Sequence, residues 1–503
     1  MLKSGFYNVL GGGIRLVVAL LSLPLMIKLL GTTVYGMYAV ISSIAAFVAI
    51  TESSLLLANT IFITRFGKEN ERQGSHYSEV INSCLQATIF LSLLLFFLFY
   101  TSAFFMAPFF IDNKAQQFIF LTALHLCAGQ SALRLLQQFF AGLIQAHHQY
   151  GAYNATVTVY SILILGGSIL LSYWYPDLRA IFGWQLFIGI LFLVYYYHYC
   201  RKHGLLPDGM LKLNTPAQFL KPILIHCGRT WPGLLGGVLF AQGDKLIVGR
   251  LLGLETVGIY SVLTGVVNQI NTFSALPVQP IVAYLRNVST KISNEYTSVE
   301  TQNLLSNAIS LNTASATGLG LGVICFSPEL THILVPLSLS YSPEKIAALL
   351  ASLGAIYAIY SMNAVGYYTL FAMHKETLNS VVVLFCGLIT VIAIWILAYQ
   401  VGLSGAVIGN VGYFSSLSLL FIAFQQIKFK RWLLFRFYIV SMLILILALI
   451  IILANPLLII RIGIFVAGCG MLIFINQHYA RQLIATSTRL FGQLIKPSSM
   501  QTK

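Results

Sequence analysis

The sequence predicts an all-α integral membrane protein of about fourteen membrane-spanning helices with almost no soluble domain. Two observations set the class, and a third, an internal repeat, divides the chain. Of 503 residues, 58% are hydrophobic and only 9% are charged, with a mean hydropathy of +0.83. A soluble domain carries about 25% charged residues because its surface must be wetted. Here that charge is missing, so most of the outer face meets lipid. A hydrocarbon core about 30 Å thick needs roughly 20 apolar residues of helix at 1.5 Å each. Such stretches follow one another from end to end, and no polar block is large enough to fold in water by itself.

Taken in order, the apolar stretches are 8–30, 35–63, 81–106, 117–143, 153–174, 180–200, 222–252, 256–284, 303–326, 346–372, 378–399, 402–427, 433–454 and 457–478. The opening MLKSGFYNVLGGG has one lysine and leads into a stretch long enough to span, so it reads as a first helix rather than a cleavable signal. The seven cysteines (84, 127, 200, 227, 325, 386 and 469) are scattered through apolar runs without metal-ligand or disulfide spacing and read as small core residues.

The net charge of +15 is distributed unevenly. With the N-terminus inside, the inner loops and tails hold eighteen Lys and Arg, among them Arg65, Arg201, Lys202, Lys221, Arg286, Lys291, Lys428, Lys430 and Arg431. The outer loops hold Lys114, Arg179 and Lys345, with Lys28, Arg250 and Arg461 near the outer boundary. This positive-inside bias predicts cytoplasmic termini and a membrane rather than a nucleic acid as the partner of the basic charge.

LLGTTVYGMYAV at 29–40 matches LLGLETVGIYSV at 251–262 without gaps: Leu30-Gly31, Gly36 and Tyr38 fall on Leu252-Gly253, Gly258 and Tyr260. GLIQAHH at 142–148 echoes TLFAMHK at 369–375, setting His147 opposite His374. Two echoes in the same order predict a parallel duplication. It comprises a six-helix half over 1–200, a cytoplasmic linker over 201–221, a second half over 222–427, and an extra helix pair with a cytoplasmic tail over 428–503. Such repeats are a transporter architecture, with a substrate site near the midplane.

The charges left inside the spans are Arg15, Arg134, Arg229 and Lys245 against Glu52 and Asp244. Each costs about 2.5–3.5 kcal/mol at a helix centre on insertion scales, so these groups face a wet cavity or one another. Four cations exceed two acids, which predicts a cationic interior and an anionic group on the substrate. Helical spacing supplies polar faces for that cavity: Gln130, Arg134, Gln137 and Gln138 on the fourth helix; Thr264, Asn268, Asn271 and Thr272 on the eighth; Asn303, Ser306, Asn307, Ser310, Thr313 and Thr317 on the ninth. The candidate substrate residues are therefore Arg15, Arg134, Arg229, Lys245, Gln130, Gln137, Asn268 and Asn307. Asp244 and Lys245, being adjacent, point about 100° apart on one helix, so Asp244 calls for a partner on another helix or a bound ion. Asp244 and Glu52 are the candidate ion-coupling groups. Helix–helix hydrogen bonding is the alternative use of the polar faces. Pro24 and Pro232 are candidate kinks. His147, His148 and His374 read as solvated loop residues, and Tyr195, Tyr196, Tyr197 and Tyr199 as an interfacial aromatic belt. No catalytic triad, metal cluster or paired carboxylate site is evident, and no cofactor is called for beyond a coupling H+ or Na+.

Asn8, Arg15 and Leu23-Pro24 followed by LLGTTVYGMYAV resemble the start of the bacterial polysaccharide and O-antigen flippases of the Wzx type, as do QGDKLIVGRLLGLETVGIY around Asp244 and GLSGAVIGN at 402–410. These flippases belong to the multidrug/oligosaccharidyl-lipid/polysaccharide exporter superfamily. The resemblance implies a multi-pass inner-membrane protein, not an enzyme, that moves a polyprenyl-pyrophosphate-linked oligosaccharide to the periplasmic leaflet by alternating access. It also implies a polysaccharide polymerase and glycosyltransferases as neighbours in surface-polysaccharide or lipopolysaccharide assembly. Glu52-Ser53-Ser54 departs from the family's aspartate, small residue and glycine at that place. The rival readings are a multidrug exporter of the same superfamily and a peptidoglycan-precursor lipid flippase.

Overall fold

The computed structural model describes residues 2–69, 75–206, 217–279, 282, 285, 299–336, 341–373, 375–427, 431–454 and 456–474. Among them the chain is all-helical and forms fourteen helices. The continuous helix Leu2–Glu69 breaks its geometry at Gly31 and supplies α1 (2–30) and α2 (32–69). There follow α3 (Ser75–Phe110), α4 (Lys114–Ala146), α5 (Tyr150–Trp174), α6 (Leu178–Lys202), α7 (Ala217–Leu252) and α8 (Leu254–Ala275). Then come α9 (Val299–Cys325), α10 (Pro343–Ala372), α11 (Glu376–Val401), α12 (Leu403–Ile427), α13 (Arg431–Leu453) and α14 (Leu458–Phe474). Ten helices are long and apolar enough to cross a membrane by length and composition.

Two spans are interrupted. α10 breaks at Met362–Asn363 between Pro343–Ser361 and Ala364–Ala372. The Met362 backbone carbonyl accepts from the Tyr438 hydroxyl of α13 at 3.3 Å, and beside it the Asn363 side-chain amide donates to Ser416 Oγ of α12. α12 narrows to a 3₁₀ stretch over Asn410–Leu417. Non-helical backbone at membrane depth persists only where such protein partners satisfy it.

The chain folds as two compact units. The first holds residues 1–265, 332–339 and 383–412; the second holds 266–331, 340–382 and 413–503. In the first, the buried side chains Leu55, Ile63, Ile81, Leu135, Phe139, Leu143, Tyr196 and Ile223 knit α2, α3, α4, α6 and α7 together. Outward faces stay apolar: Phe97, Phe104 and Phe105 of α3, and Phe385, Trp395 and Tyr399 of α11, are exposed, as a helix in lipid requires. In the second unit, Arg461 of α14 is buried and forks onto Glu329 at 2.8 and 2.9 Å, and also donates to the Cys325 carbonyl at 3.4 Å. This ties α14 to the short helix Ser327–Leu334 that follows α9.

Several expectations are corrected. His147 is half-buried rather than solvated; its Nε2 bonds the Tyr77 hydroxyl at 3.0 Å and its Nδ1 the Leu143 carbonyl at 2.9 Å. Tyr196 is buried, whereas Tyr195 and Tyr197 stay exposed in the belt position. α8 runs to Ala275 with turns over 276–279, and residues 280, 281, 283 and 284 of the expected span lie outside the described residues. His374 and the basic residues at 286, 291, 428 and 430 lie outside the described residues.

Candidate functional site

The repeat builds the frame of the site. Gly31 and Gly253 both take a left-handed backbone (φ 78° and 86°), a conformation open to glycine and costly for other L-residues. Each turns the chain sharply from the first helix of its half into the second. Beyond these turns, within the first unit, the two copies meet. A Cβ on Gly36 would overlap the Leu254 carbonyl oxygen, and a Cβ on Gly258 would overlap the Thr32 carbonyl oxygen. In the gapless register Thr32 corresponds to Leu254 and Gly36 to Gly258, so the contact is reciprocal. α2 and α8 cross backbone to backbone, as small residues allow in membrane bundles.

The repeat tyrosines sit two residues further along. Tyr38 of α2 faces Gln185 of α6 and Ser42. Tyr260 of α8 accepts at its hydroxyl from Asn410 Nδ2 of α12 at 2.8 Å. In each half an amide of the sixth helix faces the tyrosine, and in the second the two are hydrogen-bonded. The halves differ in what lies beside that tyrosine. Against Tyr260 is the carboxyl of Asp244, 1% exposed, whose Oδ1 also accepts from the Lys245 backbone N–H at 2.8 Å. The same register puts Ser22 of α1 opposite Asp244, and Ser22 bonds only back to the Ala19 carbonyl at 2.7 Å among the described residues. Among those residues no cation of another helix reaches Asp244. The group that faces it from another helix is the Tyr260 hydroxyl, and its buried Oδ2 has no hydrogen-bond partner among the described residues. Lys245 turns away to Gln242 Oε1 at 2.8 Å, an oxygen that also accepts from Ser43 of α2 at 3.1 Å.

A second polar centre lies in the N-terminal half. Glu52 of α2 and Arg134 of α4 pair at 2.8 Å, with side chains 5% and 42% exposed. Tyr160 of α5 and Cys127 of α4 are the other titratable groups electrostatically coupled to the pair. Beside Glu52, Thr51 Oγ1 accepts from Trp231 Nε1 of α7 at 3.0 Å. The acid is enclosed, while the guanidinium keeps an open side.

The remaining candidates divide. Gln130 is buried one turn from Arg134 on α4. Gln137 is committed to the Gly189 carbonyl of α6 at 2.8 Å, a helix–helix bond. Arg229 and Asn268 are exposed, and Asn307 is half-buried. Arg15 lies on α1 at a position whose side chain is outside the description. On α9, Ser306, Thr313 and Thr317 bond back to carbonyls four residues earlier at 2.7–2.8 Å, and Asn312 Nδ2 bonds the Ser274 carbonyl at 2.9 Å. Much of that face is therefore satisfied within the bundle. Sequence reading missed Tyr260 and Asn410 as members of the Asp244 centre. The repeat supplied a signal for the tyrosine, since Tyr38 and Tyr260 recur; Asn410 closes the GLSGAVIGN motif at 402–410, which carried no link to Asp244.

A family model described as polysaccharide biosynthesis protein matches residues 1–284. No curated protein matches the sequence at a significant level. Among solved structures, the chain is similar to a lipid II flippase MurJ in an inward closed conformation, at a TM-score of 0.71 and 15% identity over 95% of this chain and 99% of that one. It is also similar to an inward-facing MATE family multidrug resistance transporter of the MOP superfamily, at 0.65 and 12% identity over 82% and 94%. A MATE structure in the straight conformation matches at 0.57 and 12% identity over 85% and 95%. At these identities the likeness is one of fold.

Proposed function

Because the chain belongs to the polysaccharide biosynthesis protein family, we propose that it is a flippase that carries a polyprenyl-pyrophosphate-linked oligosaccharide across the bacterial inner membrane by alternating access, with both termini in the cytoplasm. The observation that carries this reading is Arg134: a guanidinium held within the spans by Glu52 and open on its far side. A planar fork of N–H donors suits phosphate oxygens. Arg15, Arg229 and Lys245 add positive charge to the spans, and the pyrophosphate or acidic sugars are the groups they would meet. Asp244, enclosed between α7, α8 and α12, is the principal site for a coupling H+ or Na+, and the repeat-related halves are the parts that alternate. A multidrug exporter is the second reading. The MATE-like match leaves 18% of the chain uncovered where the MurJ match leaves 5%, and the α13–α14 pair favours the lipid-linked substrate.

The test is the pool of lipid-linked oligosaccharide in cells with and without the gene, alongside surface polysaccharide. Accumulation of short lipid-linked units with loss of surface polysaccharide supports the flippase, and Arg134→Ala and Asp244→Asn should reproduce it while still reaching the membrane. An unchanged pool with altered drug sensitivity would replace this reading with the exporter.

A further inference from the structure

The Glu52–Arg134 pair poses a problem for any anion that is to bind there. Glu52 already neutralises the guanidinium at 2.8 Å. A phosphate arriving on the open side of Arg134 would leave two anions sharing one cation. Among the described residues Arg134 is the only cation coupled electrostatically to Glu52; the other titratable groups around it are Cys127 of α4 and Tyr160 of α5, neither of which is a cation. From α7 the facing group is the indole N–H of Trp231, already given to Thr51. No second described positive charge stands by to compensate Glu52 when Arg134 turns to a ligand.

We propose that Glu52 and the substrate's phosphate exchange places on Arg134, so that the anion binds as Glu52 takes up one proton. The inference rests on the flippase reading and adds the chemistry of loading. In the empty site the carboxylate accepts from the guanidinium. On loading, a proton from water converts the carboxylate to the neutral acid and the ion pair opens. The guanidinium N–H groups then donate to the phosphate oxygens as a charge-assisted fork. On release the proton leaves and the original pair re-forms. The exchange keeps the enclosed acid from ever standing as an uncompensated charge, the arrangement that is most costly within a bundle. The asymmetry in exposure fits these roles: the enclosed partner, 5% exposed, holds the proton, and the open partner, 42% exposed, meets the ligand. It also spares the spans one net negative charge during passage. Arg134 is then a binding residue and Glu52 a positioning residue that sets when it is available.

The test uses the purified full chain in detergent and farnesyl pyrophosphate as probe. Proton uptake is followed in weakly buffered solution, and affinity is measured between about pH 6 and pH 8. The unaltered chain should take up about one proton per probe bound beyond the probe's own ionisation, and its affinity should fall about tenfold per pH unit relative to Glu52→Gln. Glu52→Gln should bind at least as tightly as the unaltered chain at the higher pH, with no uptake. Arg134→Ala should lose binding at every pH. Binding to the unaltered chain without proton uptake would overturn the exchange while leaving the anion-binding reading intact, and it needs no variant to fold. Loss of binding in Glu52→Gln to the level of Arg134→Ala would also overturn it, making Glu52 a fixed clamp. Absence of probe binding to the unaltered chain at any pH would overturn both readings.

Discussion

Replacing Gly36 with alanine tests the repeat contact most directly. The added Cβ would overlap the Leu254 carbonyl oxygen and stand 2.8 Å from its carbon and 3.3 Å from the Gly258 nitrogen. All three obstacles are backbone, so no rotamer change relieves them, and α2 and α8 must separate. Overpacking costs typically about 1–3 kcal/mol; with no side chain able to yield, the upper part of that range applies. The gain in helix propensity from glycine to alanine, about 0.8–1 kcal/mol, offsets part of it. The net expectation is a loss of about 1–2 kcal/mol. Gly237 of α7 is the control: it is helical and exposed, with open space where a methyl group would stand, so alanine there should be neutral or stabilising by up to about 1 kcal/mol. Gly258→Ala meets the Thr32 carbonyl in the same way and should match Gly36→Ala. The double variant should cost less than the two singles together, because one separation of the helices admits both methyls. The assay is the temperature at which detergent-solubilised protein loses its monodisperse elution peak. A Gly36→Ala variant that melts at or above the unaltered protein, or a strictly additive double, would refute the reciprocal backbone contact.

Other outcomes follow from the same reasoning. Glu329→Gln should destabilise the protein more than Arg461→Met, because the first leaves a buried guanidinium without its counter-charge while the second leaves a carboxylate that is 41% exposed to solvent; melting of the two variants checks the order, and the reverse ranking would contradict it. Asp177 caps α6 through the Arg179 backbone N–H at 2.8 Å and receives the Arg179 guanidinium at 2.9 Å, and that hydrogen bonding holds its carboxyl below the usual range. A group lowered in the folded state stabilises above its unfolded pKa and loses that contribution as pH falls through its folded value. Asp177→Ala should therefore cost about 1 kcal/mol near neutral pH as a lost cap. The gap to the unaltered protein should close as the solution is acidified below the carboxylate range; a gap that is independent of pH would rule out the ionised cap.

The sequence by itself determined the all-helical membrane class and the order of the fourteen helices, because the bilayer imposes one requirement on every helix: about 20 apolar residues with the backbone satisfied internally. It also marked Gly31 and Gly253, since a repeated Leu-Gly at the same place in two halves points to a shared turn, and both prove left-handed. It located Glu52, Arg134 and Asp244 as charges that lipid could not surround. What it could not decide was which groups meet. Four cations and two acids allow many pairings, and the choice of Arg134 for Glu52, across α2 and α4, depends on how each helix is rotated about its axis. One residue along a helix turns a side chain by about 100°, so small differences in packing exchange one partner for another. The same rotation gives Gln137 to the Gly189 carbonyl instead of the cavity, and sets Asp244 against Tyr260, itself bonded to Asn410, instead of against a cation. Hydropathy depends on how many apolar residues a span contains. Pairing depends on where each residue points, and only the packed bundle fixes that direction.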